Sequence, residues 1–173
     1  MNKVIIYPNE RGGIAIIYPA PNCGISLEEI ARKDVPAGLP HLIIDSATVP
    51  TDHQFFEAFE ADFSNPDGHG VGAQNWFIEQ YEAEIEKINA EAAPVTPELL
   101  VAAAKDQAEF PEEFTPEQID AGYEELVAHV AALNEQMAAA HAEAVAKWEA
   151  NKATRIEELN KLIAVQRAEM EVA

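Results

Sequence analysis

From Pro116 to Ala173 the chain contains no further proline and a single glycine, Gly122. Such a run favours helix: nothing in it removes a donor from the backbone ladder, and the alanine and glutamate that dominate it are good helix formers. Thr115-Pro-Glu-Gln118 supplies the start, with a hydroxyl cap, proline at the first helical position and glutamine three residues after the cap. Ile119, Leu126, Leu133 and Ala140 recur every seven residues, with Tyr123, Val130, Met137 and Ala144 as a companion series. This is the pattern of a coiled-coil seam. Further on, Lys147 and Asn151 fall in the seam, whereas Trp148, Ile156, Leu159, Ile163 and Met170 restore an apolar stripe with shifted phase. A four-residue stutter accommodates the shift, and so does a helical hairpin turning near Asn151. An unbroken helix would be about 85 Å long and needs a partner chain or a neighbouring helix. Ile119, Tyr123, Leu126, Val130, Leu133, Met137, Trp148, Ile156, Leu159 and Ile163 are therefore the expected partner or oligomer interface, and a homo-oligomer through the C-terminal helices is expected.

The N-terminal region has a different character. Lys3-Val-Ile-Ile-Tyr7 and Ile14-Ala-Ile-Ile-Tyr18 are β-branched runs separated by a loop ending in Gly12-Gly13, which reads as a β-hairpin. Ser26-Leu-Glu-Glu29 is a capping box for a short helix ending near Lys33, and Asp34-Val-Pro-Ala-Gly-Leu-Pro40 then forces turns. His41-Leu-Ile-Ile-Asp45 reads as a third strand. Thr51-Asp-His-Gln54 repeats the capping logic, placing Phe55, Phe56 and Phe59 on one helical face. The expected fold is α+β: a head over 1–72, then an acidic all-α region over 73–173 forming a long helical bundle or coiled coil. Its helices are placed at about 73–92, 97–109 and 115–172, the second starting at Thr96-Pro97-Glu98.

Charge narrows the partners. The chain carries 11 basic and 31 acidic residues, and residues 34–146 hold only Lys87 and Lys105 against 23 acids. Such a field repels phosphate, which argues against direct nucleic-acid binding and against anionic membranes. No apolar run, Ile14 to Tyr18 included, is long enough to span a bilayer. One cysteine, Cys23, cannot form an internal disulfide and is expected to be a small half-buried side chain.

The densest set of special residues lies between Phe59 and Phe77, with Asp62, Asp67, His69 and alternate glycines at 68, 70 and 72. A P-loop would need lysine and a hydroxyl residue after the glycines, and an EF-hand counted from Asp62 has Pro66 at its fifth position and its glycine one place late. The segment is expected to be a turn at Asn65-Pro-Asp-Gly68 leading into the Trp76 helix. Glu125 and His129 lie four apart on one helical face without the Glu-x-x-His spacing of di-iron bundles. No serine has a nucleophile-elbow context. No catalytic residue, metal or cofactor is expected.

Several elements together carry a resemblance: Tyr7-Pro-Asn with Gly12-Gly13, Pro19-Ala-Pro-Asn-Cys-Gly24, Glu28-Glu-Ile-Ala-Arg-Lys-Asp-Val-Pro-Ala-Gly38, and Val49-Pro-Thr-Asp with Ala58-Phe-Glu60. Over roughly residues 1–65 the chain resembles small proteins of tailed bacteriophages encoded near tail-fibre or tail-assembly genes. That family brings no catalytic residues to transfer. The resemblance implies a non-enzymatic virion or tail-associated structural or assembly protein. Other phage structural proteins are its implied partners, and the host cytoplasm during assembly and then the virion its location. The long acidic helical tail departs from that family and admits an alternative, an acidic anti-defence or host-takeover protein that imitates DNA and binds a basic protein surface.

Overall fold

The computed structural model describes residues 3–9, 12–50 and 59–172. The expected helix from Thr51 carrying Phe55 and Phe56 lies outside the described residues. The fold is α+β, with a four-stranded antiparallel sheet of order β2-β1-β3-β4 and three α-helices among the described residues. The strands are β1 (Lys3–Pro8), β2 (Ile14–Ile17), β3 (Pro40–Asp45) and β4 (Gly68–His69); the helices are α1 (Leu27–Asp34), α2 (Ala73–Ala90) and α3 (Pro116–Val172). Compact units group residues 1–86 with 158–173, and separately residues 87–157, where the sequence pattern places a change of character after residue 72.

In the first unit, β1 and β2 form the expected hairpin, with Ile5 opposite Ile17 and Pro8 opposite Ile14. Asn9 organises the loop: its amide donates to the Gly13 carbonyl at 2.8 Å and its side-chain oxygen accepts from the Gly13 amide at 3.1 Å. β1 is central, because β3 pairs along its other edge with Ile5 opposite Ile43. Both faces of the sheet are covered. Val4, Ile6 and Ile14 form a buried cluster with Val49, against which Phe59 and Phe63 pack. Ile5 points the other way, into Ile30, Ala31 and Val35 of α1 and its C-terminal end. Ser26 caps α1 as its spacing predicts, accepting from the Glu29 amide at 3.1 Å.

α3 starts at a reciprocal capping box: the Thr115 amide donates to the Gln118 side chain at 2.8 Å, and the Gln118 amide donates to the Thr115 hydroxyl at 3.3 Å. It is continuous through Asn151, so the hairpin alternative does not occur. The phase shift is absorbed in place. His141 and Val145 are half-buried on the stripe, whereas Ala140 and Ala144, the expected seam residues, are exposed. From Ile119 onward the covered positions advance by three or four residues, averaging roughly the 3.6 of a straight helix rather than the 3.5 of a supercoiled seam.

The helix expected over 97–109 is absent. Residues 91–103 have no regular secondary structure, and a turn follows at Lys105–Gln107. Within the second unit this segment is a strap running antiparallel to α3: Arg155 pairs with Glu91 at 2.7 Å, Asn134 holds Leu100, and Lys105 pairs with Asp120. The Asn134 side chain accepts from the Leu100 amide at 2.8 Å and donates to the Leu100 carbonyl at 2.9 Å. Between Asn134 and Arg155 the helix rises about 32 Å, and even with the reach of the paired Arg155 and Glu91 side chains the chain from Glu91 to Leu100 spans it only on a path well above the helical rise of about 1.5 Å per residue, toward the extended limit of about 3.3–3.6 Å. A short alanine-rich helix is marginal by itself. The extended path instead places Pro94 and Pro97, which are half-buried, along the helix that the strap covers.

Candidate functional site

The Phe59–Phe77 segment resolves into a backbone latch. His41 of β3 stands opposite Gly68 of β4, and Pro40 stands opposite His69. The Asp67 amide donates to the His41 carbonyl at 2.9 Å, and the Asp67 carboxylate accepts from the Ile43 amide at 2.7 Å. Gly38 donates to the Gly70 carbonyl at 2.9 Å, Gly70 to Leu39 at 2.9 Å, and Val71 to the Arg32 carbonyl near the end of α1 at 2.8 Å. Each glycine has a local reason. A Cβ on Gly70 would lie 2.2 Å from the Val35 carbonyl oxygen, one on Gly68 would lie 2.9 Å from the His41 ring, and Gly72 has φ +79°. Of the expected turn Asn65-Pro-Asp-Gly68, Asn65 and Asp67 form bends while Gly68 lies in β4, a strand that patterning does not show because it is only two residues long and has no apolar alternation.

Beyond the latch, Gly72 accepts from the Trp76 amide at 3.0 Å as α2 begins. Arg32 of α1 pairs with Glu79 of α2 at 2.6 Å, and Lys33 lies 5.8 Å from the centre of the Trp76 ring. Trp76 meets Phe77 edge-on at 5.2 Å, and Phe77 stacks on Tyr81 at 6.3 Å. The aromatic pairs at the two ends of the segment therefore do different things: Phe59 and Phe63 pack on the sheet, and Trp76 and Phe77 begin α2.

His41 is buried, and its Nδ1 has no hydrogen-bond partner among the described residues. Burial lowers its pKa below the usual imidazole value; the Asp67 carboxylate opposes that shift and His69 adds to it. The unfolded chain therefore binds a proton that the folded chain resists, and stability falls as pH drops below about 6.5, the unfolded value. Asp62, held below the ordinary carboxylate range chiefly by the Ser64 amide, contributes stability above about pH 4 that is lost only at lower pH. Urea midpoints at pH 7 and pH 5 should show a fall for the natural chain and a smaller fall for His41→Leu. An equal fall in both would place the titrating group elsewhere.

The ten expected interface residues all fall on one stripe of α3. Ile119, Tyr123, Leu126, Val130, Leu133, Met137, Trp148 and Ile156 in the second unit are half-buried, as is Leu159 in the first, where Ile163 is buried. The cover comes from this chain itself. Asn134 lies beside the stripe, where apolar periodicity gives no signal; a polar residue next to the seam position Leu133 is the only sequence sign of it. Glu125 and His129 line an open groove with Phe110 and Gly122. Among the described residues, no group of three or more histidine, cysteine, aspartate or glutamate side chains is placed to hold a metal ion. Cys23 is exposed rather than half-buried, its thiol 3.6 Å from the Ile25 carbonyl. No described helix is long and apolar enough to cross a membrane. No family model, curated protein or solved structure matches the chain.

Proposed function

We propose that the chain is a non-enzymatic protein acting through protein–protein contacts, as a virion or tail-associated structural or assembly protein of a bacteriophage. The observation that carries this reading is the pairing of a 57-residue helix with an extended strap, an elongated element suited to spacing and docking. The resemblance of residues 1–65 to small tail-region phage proteins supplies the setting. The residues with the most chemical promise, Asp67, Gly68 and Gly70, are engaged in the latch. Its partners are other phage structural proteins, met in the host cytoplasm and retained in the virion, and its copies associate through exposed apolar positions of α3 such as Leu162 and Val165. Mass spectrometry of purified virions should find the chain in stoichiometric amounts. Its absence there, with virion assembly unimpaired when its gene is deleted, would overturn the reading.

The formal charge of −20 favours a second reading, an acidic anti-defence or host-takeover protein that binds a basic protein surface. Binding to a nuclease or polymerase that weakens steeply with salt is its expected sign, and salt-insensitive or absent binding counts against it.

A further inference from the structure

The strap leaves one edge open. In an extended chain the amide and carbonyl of one residue face the same side, and those of its neighbours face the opposite side. Both backbone groups of Leu100 are turned to Asn134, so those of Leu99 and Val101 face away from it. They make no hydrogen bond among the described residues. The flanking side chains are apolar and unshielded: Val95 is 90% exposed, Leu99 69% and Val101 89%. An extended apolar edge of this kind is a template for another strand.

Charge selects the occupant. Glu98 lies in this segment and Asp106, Glu109, Glu112 and Glu113 follow it, while Glu91 is already paired with Arg155 and the one base, Lys105, with Asp120. A second copy would bring the same acids to the edge and be repelled, whereas a cationic strand would be attracted. Pro94 and Pro97, which have no amide to offer, limit the pairing to the stretch that follows them. We propose that residues 98–103 form a docking edge onto which a basic partner protein adds an extended segment as a β-strand. This deepens the proposed function, resting on its premise that the chain works through protein contacts.

The test uses the full chain and a ten-residue peptide of alternating lysine and valine, with alternating glutamate and valine as control. The lysine peptide is expected to bind and to slow hydrogen exchange at the Leu99 and Val101 amides about tenfold or more, while the glutamate peptide is not. Val101→Pro removes an outward amide that makes no bond among the described residues, and should weaken binding about tenfold, as loss of a backbone hydrogen bond and its ladder implies. Unchanged protection of the Leu100 amide in that variant would show that the strap is still seated. Binding insensitive to Val101→Pro, equal binding of the two peptides, or protection confined to other segments would each overturn the edge. Protection of the same amides by raising the chain's own concentration would make the occupant a second copy and overturn the basic partner. Strand addition by a chain absent from virions and dispensable for their assembly leaves the edge standing and removes the virion reading; a virion component that fails the peptide test loses the edge alone.

Discussion

Gly70→Ala is expected to lower the stability of the sheet-bearing unit by about 3 kcal/mol or more, the range reached when a rigid backbone must move to admit a side chain. The obstacle is main chain on both counts: the new Cβ would sit 2.2 Å from the Val35 carbonyl oxygen and 2.6 Å from that of Pro36. Neither can swing aside as a side chain would. Moving residues 67–72 outward instead breaks the bonds from Gly38 to Gly70 and from Gly70 to Leu39, and strains that from Val71 to Arg32. Gly68→Ala is the comparison. Its nearest obstacle is the His41 ring at 2.9 Å, a side chain with some freedom, so a loss of about 1–3 kcal/mol is expected. Urea unfolding followed by circular dichroism distinguishes the two, and equal losses would mean that the latch is not held by backbone approach. If the segment were instead a ligand loop, both substitutions would leave stability nearly unchanged.

Local signals are legible in the sequence wherever neighbouring residues decide the outcome. The Ser26 and Thr115 caps, the Gly12-Gly13 hairpin loop and the start of α2 all depend on contacts within a few residues, and all appear where patterning places them. The strap shows the opposite case. Thr96-Pro97-Glu98 is a good helix start by itself, yet residues 91–103 have no regular secondary structure, and Asn134, far along the chain, takes both backbone groups of Leu100. No window around residue 100 contains that information. The α3 stripe and its phase shift are legible in outline, but a strict seven-residue repeat carries the seam from Ile119 to Met137 on into Ala140 and Ala144. A straight helix keeps its own pitch, and so His141 and Val145 take those places. In the latch, the glycine density was visible, whereas its cause was not: the carbonyls of Val35 and Pro36 that require Gly70 lie on another element.

Ile5→Ala should be the most damaging simple truncation in the sheet, costing about 2–5 kcal/mol, with Ile5→Val costing about 0.5–1.5 kcal/mol. Ile5 is fully buried on the central strand and meets Ile30, Ala31 and Val35, while its neighbours Val4 and Ile6 serve the opposite face. A run of three buried apolar residues without alternation is what a strand covered on both sides requires. Truncation there opens a cavity between sheet and α1 that a short helix, held by its Arg32 carbonyl accepting from the Val71 amide, cannot close by sliding. Val130→Ala on α3 removes a half-buried side chain at a site open to water, so a loss of about 1 kcal/mol is expected there. The difference follows from depth of burial, because both substitutions delete aliphatic carbons. Urea midpoints at constant m-value measure it, and a Val130→Ala loss equal to that of Ile5→Ala would mean that the principal core lies along the helix stripe rather than in the sheet.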